Sequence, residues 1–262
     1  DVAAFITASI QLQELNYKNA LHDATILNTM LTKVGVQEPF LLDLSKHPPF
    51  SKAREEKFSD YLAWIIEQIA AEPAWILKLF NISEKDLDSS KIEGRIPIIK
   101  RENVVAEGRI DILILYEDVL IDIEVKVVDA ESADVAKNAG YRESLKAKYS
   151  MERYKQFHRL LVTGALNDAY NREPEDKCQW YWVVKWSEVC LRLRQLILES
   201  SVLKDKLLLK ALVVSFAGSV EQILLRYQPL TGQKSQNYID TESSKYISDL
   251  LTGLQNVEVN DD

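Results

Sequence analysis

The stretch Gly108-Arg-Ile-Asp-Ile-Leu-Ile-Leu-Tyr116, continued across Glu117 and Asp118 by Val119-Leu-Ile-Asp-Ile-Glu-Val-Lys126, sets the tightest limit on how this chain can fold. Both arms alternate with period two and are rich in Ile, Leu and Val, which predicts a β-hairpin over residues 109–127 with Glu117 and Asp118 as its turn. Pairing Tyr116 with Val119 carries the register on as Leu115 with Leu120, Leu113 with Asp122 and Asp111 with Glu124, because antiparallel partners keep a constant residue sum. Two carboxylates then face each other at a Cβ separation of about 5 Å, which destabilises a sheet unless a cation offsets the repulsion. Lys126 follows Glu124 by two residues and projects from the same face, as does Asp122, while Ile121, Ile123 and Val125 point into apolar packing.

The chain around this hairpin has 262 residues, enough for one substantial core, and it is read as a single domain. A helical extension is expected over about residues 1–47, a core over about 50–200 and C-terminal helices over about 204–252. A net charge of −8 argues against a protein that coats nucleic acid through its overall charge. A local patch is the alternative. Between Lys137 and Arg159 the bases Lys137, Arg142, Lys146, Lys148, Arg153, Lys155 and Arg159 face only the acids Glu143 and Glu152. Of these, Lys146, Lys148, Arg153 and Lys155 are the candidate nucleic-acid contacts. Cys178 and Cys190 lack the spacing of a zinc or redox motif and are expected as free thiols. The apolar start has no basic segment before it and the later apolar runs are interrupted by Lys206, Lys210 and Glu221, so no membrane span is expected and the expected setting is cytoplasmic.

Apolar positions Ile6, Ile10, Leu15, Leu21, Ile26 and Leu31 predict one or two helices over residues 3–34, stopping at Gly35. A second helix, capped by Ser51, is predicted from the stripe Phe58, Leu62, Ile65, Ile66 and Ile69, followed by a short one at 75–80. Residues 96–101 read as a strand with Pro97 near its start. The segment 130–161 reads as mostly helical, with Tyr154, Phe157, Leu160 and Leu161 as its buried stripe and His158 packing on the same face. A strand at 180–184, a helix from Trp186 to Glu199 and a last long helix at 204–226 complete the order. The stretch 231–243 and the acidic tail from Leu254 are expected to be mobile. This alternation implies an α/β fold with a mixed sheet flanked by helices.

Gly-Arg-Ile-Asp, a hydrophobic strand, a short turn and Ile-Glu-Val-Lys together resemble the core of the PD-(D/E)XK nuclease superfamily, which implies a restriction-endonuclease-like fold. Glu56-Lys-Phe-Ser-Asp-Tyr-Leu-Ala-Trp64-Ile-Ile is similar to the first core helix of a bacterial subgroup with a Glu before Ser-x-x-Leu-Ala-Trp, and the match implies Glu56, rather than Glu55, as the helix glutamate. The subgroup's later helix reads Gln-Leu-x-Arg-Tyr, where this chain has Ser150-Met-Glu-Arg-Tyr154 and so lacks the glutamine; Gln156, expected on the same helix, would face elsewhere. Trp186-Ser-Glu-Val resembles a later helix opening, so the resemblance spans roughly residues 50–200.

It implies that Asp111, Glu124 and the backbone carbonyl of Val125 bind Mg²⁺, or Mn²⁺, with Lys126 holding or activating the attacking water and Glu56 orienting water or binding a second ion. The activity expected is hydrolysis of DNA phosphodiester bonds, as in a restriction or phage-defence endonuclease. The alternative is a non-catalytic nuclease-like module that binds nucleic acid or a protein partner, a second copy included. A merely salt-bridged sheet is the third reading. Neither a serine or cysteine nucleophile pattern nor a phosphate-cradling glycine loop is present.

Overall fold

In the computed structural model the strands grow from the positions that their alternation marks. Residues 2–44, 50, 52, 54–83, 87, 92–106, 108–127, 135–149, 154–163, 182–230 and 239–255 are described. Strand β1 (Ile98–Val105) begins directly after Pro97, which has no N–H to give a ladder. Strands β2 (Gly108–Leu115) and β3 (Val119–Val125) form the hairpin, and their register runs from Leu115 opposite Leu120 to Ile112 opposite Ile123. The constant sum expected from the sequence is the one observed.

Helix α4 (Val135–Lys148) then carries the chain over to β4 (Lys155–Val162), which lies parallel to β3, and β5 (Trp182–Lys185) lies parallel to β4. The sheet order is β1-β2-β3-β4-β5, an antiparallel meander joined to a parallel edge. This is an α/β architecture with a mixed sheet flanked by helices. Helix α2 (Glu55–Gln68) buries Phe58, Leu62, Ile65 and Ile66 and packs near β1 and β2, while Tyr141 and Leu145 of α4 pack with Leu113, Leu115 and Leu120. Helix α3 (Pro73–Leu79) opens on proline, where a missing N–H costs nothing. Arg54 rather than Ser51 holds the N-cap position of α2, and its side chain makes no capping bond.

The single helix expected over 130–161 is corrected. Its second half is strand β4, so Phe157, Leu160 and Leu161 are sheet residues, and Gln156 and His158 lie on a strand rather than on a helical face. Every residue from Phe157 to Val162 is buried, as in a central strand covered on both sides, and such a run carries no period-two signal. Ser150, Met151, Glu152 and Arg153 lie outside the described residues, as does Cys178. Cys190 is buried and free.

Two compact units emerge, residues 52–189 and the combination of 1–51 with 190–262. The sheet belongs to the first. In the second, one continuous helix α1 (Val2–Lys33) packs Ala20, Ala24 and Leu27 against Ile247, Leu250, Leu251 and Leu254 of α7 (Thr241–Gln255). The start of α7 is capped: Asp240 accepts the Ser243 N–H at 2.8 Å and its hydroxyl at 2.6 Å, while residues 231–238 of the stretch expected to be mobile lie outside the described residues. Helix α5 (Trp186–Glu199) leads to α6 (Leu207–Ser219), which continues as a π-helical turn, Val220–Leu224. The stretch Leu207–Leu224 is long and apolar enough to cross a membrane by length and composition, and most of it is buried inside the structure. Arg194 of α5 is fully buried between the carboxylates of Glu38 and Glu221, and Tyr246 donates to Glu221 at 2.9 Å. Burial raises the Glu221 carboxyl above the usual range even with the guanidinium beside it.

Candidate metal centre

The site forms where β2 and β3 part. Tyr116 donates to the Val119 carbonyl at 2.8 Å, so alternation along the ladder makes Ile110 and Val125 the next hydrogen-bonded pair after Ile112 and Ile123. The Asp111 carboxylate intervenes. Its Oδ2 accepts the Val125 N–H at 2.7 Å, and the β2–β3 ladder stops short of the expected pairing of Asp111 with Glu124. On the other side of β2, the β1–β2 ladder passes from Arg101 opposite Ile112 to Asn103 opposite Ile110, skipping the row that holds Asp111 and Glu102. Glu102 takes a φ of 49°, a left-handed conformation that costs a non-glycine residue about 1 kcal/mol. The pairing of β2 with both of its neighbours is thus interrupted at the row of the aspartate.

β3 itself stays in register with β4 through this end, since Val125 lies opposite Leu161 and the Lys126 N–H donates to the Leu161 carbonyl at 2.8 Å. The indole N–H of Trp186 donates to the Lys126 carbonyl at 3.0 Å. With its backbone held on both sides, Lys126 extends an ammonium that lies 2.8 Å from Glu124 Oε1, 3.1 Å from Glu55 Oε1 and 3.1 Å from the Val125 carbonyl. Burial alone would lower the affinity of this amine for its proton; the carboxylates of Glu124, Glu55 and Asp111 outweigh burial and raise it. Lys126 is thus held among carboxylates as a cation and hydrogen-bond donor.

Asp111 is perturbed in the opposite sense for a carboxylate at neutral pH. Burial first, and the negative charge of Glu124 second, push its carboxyl up to about 7, against the lowering effects of the Val125 N–H and the Lys126 ammonium. Such a pair of buried acids favours any added positive charge. The donors available are carboxylate oxygens and the Val125 carbonyl, all hard oxygen ligands of the type that Mg²⁺ takes, so the residues present fit the ion that the resemblance implies. Among the described residues, however, no three His, Cys, Asp or Glu side chains are grouped so as to hold a metal ion. Here Asp111 Oδ2 is turned onto a backbone N–H, and Glu124 and Glu55 each turn an oxygen onto the ammonium.

Of the two adjacent glutamates, Glu55 is the one whose carboxylate reaches Lys126. Glu56 is exposed at the start of α2, where its backbone carbonyl receives the Ser59 hydroxyl. The phase of the helix held the answer: 55, 58, 62, 65 and 69 step by three and four along the buried stripe, so Glu55 shares the face turned inward while Glu56 is rotated about 100° from it.

The basic residues divide. Lys148, in the last turn of α4, donates to the Val104 carbonyl at 3.1 Å and lies 3.4 Å from Asn103 Oδ1, next to the row that carries Asp111. Lys146 pairs with Glu143. Lys155 opens β4 opposite Val119, five residues down the strand from Glu124, a backbone offset of roughly 17 Å. Its amine lies over the Phe157 ring. Arg153 lies outside the described residues. His158, deeply buried, has its Nδ1 against Asp122 Oδ1 across the β3–β4 pair, a polar contact within the sheet that the sequence did not suggest. Comparison with protein-family models, with curated proteins and with solved structures returned no match.

Proposed function

We propose that residues 52–189 form a Mg²⁺-dependent nuclease acting on DNA. The observation that carries this reading is the convergence of Glu124, the Val125 carbonyl, Lys126 and Glu55 at the point where Asp111 pries β2 from β3. The antiparallel meander followed by a helical crossover to a parallel strand supports it, because that order is the one the resemblance implies. Asp111, Glu124 and the Val125 carbonyl would hold the ion. A phosphodiester resists attack because its anionic oxygens repel a nucleophile and its leaving group departs as an alkoxide; a hard cation bound here would offset the first charge and stabilise the second. Lys126, kept protonated by three carboxylates, orients water by donating to it and stabilises charge that develops on the phosphoryl oxygens. Glu55 anchors the ammonium from the far side and so sets where it points.

Plasmid and linear DNA incubated with the protein should be cut in Mg²⁺ and left intact in EDTA. Asp111→Ala, Glu124→Ala and Lys126→Ala should each lower the rate by about 100-fold or more. Equal cleavage by the wild type and a variant carrying all three would reject this site.

A second reading, a nuclease-like module without catalysis that binds a nucleic acid or protein partner, is favoured by one observation: the ammonium already bridges two carboxylates and Asp111 is already engaged by backbone. Calorimetric titration with Mg²⁺ and with Mn²⁺ separates the two. Binding that disappears in Glu124→Ala supports the nuclease, whereas no binding in the wild type supports the module.

A further inference from the structure

Lys100 and Asn103 stand an odd number of residues apart on β1, a spacing that sends the side chains of a regular strand to opposite faces. Both nevertheless meet the end of α4. The Lys100 ammonium lies 3.5 Å from the Tyr149 hydroxyl, and Asn103 Oδ1 lies 3.4 Å from the Lys148 ammonium. Between them sits Glu102 in its left-handed conformation, which turns the strand so that residues on either side of it reach the same helix end. Backbone strain of this kind is a feature of ligand clamps.

The turn brings together two ammoniums with no carboxylate between them. Arg95, Arg101, Arg109 and Lys126 each have a carboxylate partner, but among the described residues Lys100 and Lys148 have none. Their amines lie 5.9 and 5.8 Å from the centroid of one ring, that of Tyr149. The negative pole of α4 does not account for Lys148, whose amine reaches across to the Val104 carbonyl at 3.1 Å. Beside it the Asn103 side chain, 9% exposed, keeps a buried Nδ2 donor with no acceptor among the described residues. Two like charges and an unmet donor leave this corner short of negative charge, which an anion rich in acceptor oxygens supplies.

We infer that Lys100 and Lys148, set around the Tyr149 ring, hold a phosphate of the substrate strand close to the one that is cut; the assignment rests on the nuclease reading of the Asp111 site. Lys100 is opposite Leu113, which lies two residues along β2 from Asp111 and on the same face. The Cα offset from Lys100 to Asp111 is then roughly 8 Å, or two to three steps of about 3.4 Å along one strand of a duplex. The Tyr149 ring is not offered to a base, because both ammoniums approach it and Tyr154 meets it at 5.8 Å and 80°. The contact is to the backbone and carries no sequence information.

Fluorescence anisotropy of a labelled duplex in EDTA at several salt concentrations tests it, with cleavage in Mg²⁺ followed in parallel. Lys100→Ala/Lys148→Ala should reduce the dependence of log K on log salt by about two, and Lys100→Arg/Lys148→Arg should keep it. Both lysines are exposed, so neither change touches the core. The affinity lost by the Ala variant should agree within about twofold on two duplexes of unrelated sequence. An unchanged salt dependence overturns the clamp even where the wild type cuts DNA, and leaves the nuclease reading standing. A reduced dependence in a chain that does not cut keeps the phosphate site and rejects the nuclease. A loss confined to one of the two sequences overturns the clamp, as does a wild type that binds no duplex, whether or not calorimetry shows it binding inorganic phosphate.

Discussion

Two adjacent glutamates illustrate how far single residues can be read from sequence. A motif match assigned the functional role to Glu56, yet the buried stripe of the same helix turns Glu55 toward Lys126, 3.1 Å away. Periodicity reports direction in space, which a motif does not, and it is the direction that the contact follows. Glu55→Gln should therefore lower cleavage by about tenfold or more while Glu56→Gln stays within about twofold, measured as single-turnover rates on one DNA substrate. Asp111 makes a prediction of a different kind. Its carboxyl loses its proton near pH 7 in the folded chain, whereas in the unfolded chain it does so in the usual range near 4. Between those values the folded state holds the proton and the unfolded state does not, so the contribution is fully present below about pH 4 and is lost as the pH rises through 7. The urea midpoint of the wild type should fall over that window relative to Asp111→Asn, by an amount equivalent to a few kcal/mol, and a difference that is flat with pH would contradict the assignment.

Elements whose sequence keeps a period were legible, the fully buried strand β3 with its alternating Asp122 and Glu124 among them, and the one that keeps none was not. The hairpin's register, the stripe of α2 and the opening of α5 at Trp186 follow from alternation, helical phase and capping position. Strand β4 escaped because it is covered on both sides, and Lys-Gln-Phe-His-Arg-Leu-Leu-Val has no period by which to choose between strand and helix. That one misreading moved Gln156 and His158 and hid the contact of His158 with Asp122. It also misplaced the basic residues relative to one another, since a strand start and a helix end lie at different ends of the sheet. Lys148→Ala should weaken DNA binding and reduce the dependence of log K on log salt by about one, while Lys155→Ala should change affinity less than about twofold. Fluorescence anisotropy with a labelled duplex at several salt concentrations would distinguish them.

At the scale of the whole chain, the order of elements anticipated an α/β fold and set residues 1–47 and 204–252 apart from the core, but the chain was read as one domain, and local pattern does not show that its two ends join into a unit. The pattern of contacts that builds the second unit joins residues separated by most of the sequence: Ala20, Ala24 and Leu27 find Ile247, Leu250 and Leu254. Such closure carries consequences for biosynthesis. As the polypeptide leaves the ribosome, the sheet-bearing stretch can gather its own contacts as soon as it is out, but α1 must wait, greasy side bare, until α7 has been translated. For that interval the side it keeps for α7 is the natural target of a holding chaperone, and a truncation that removed α7 would strand residues made long before it.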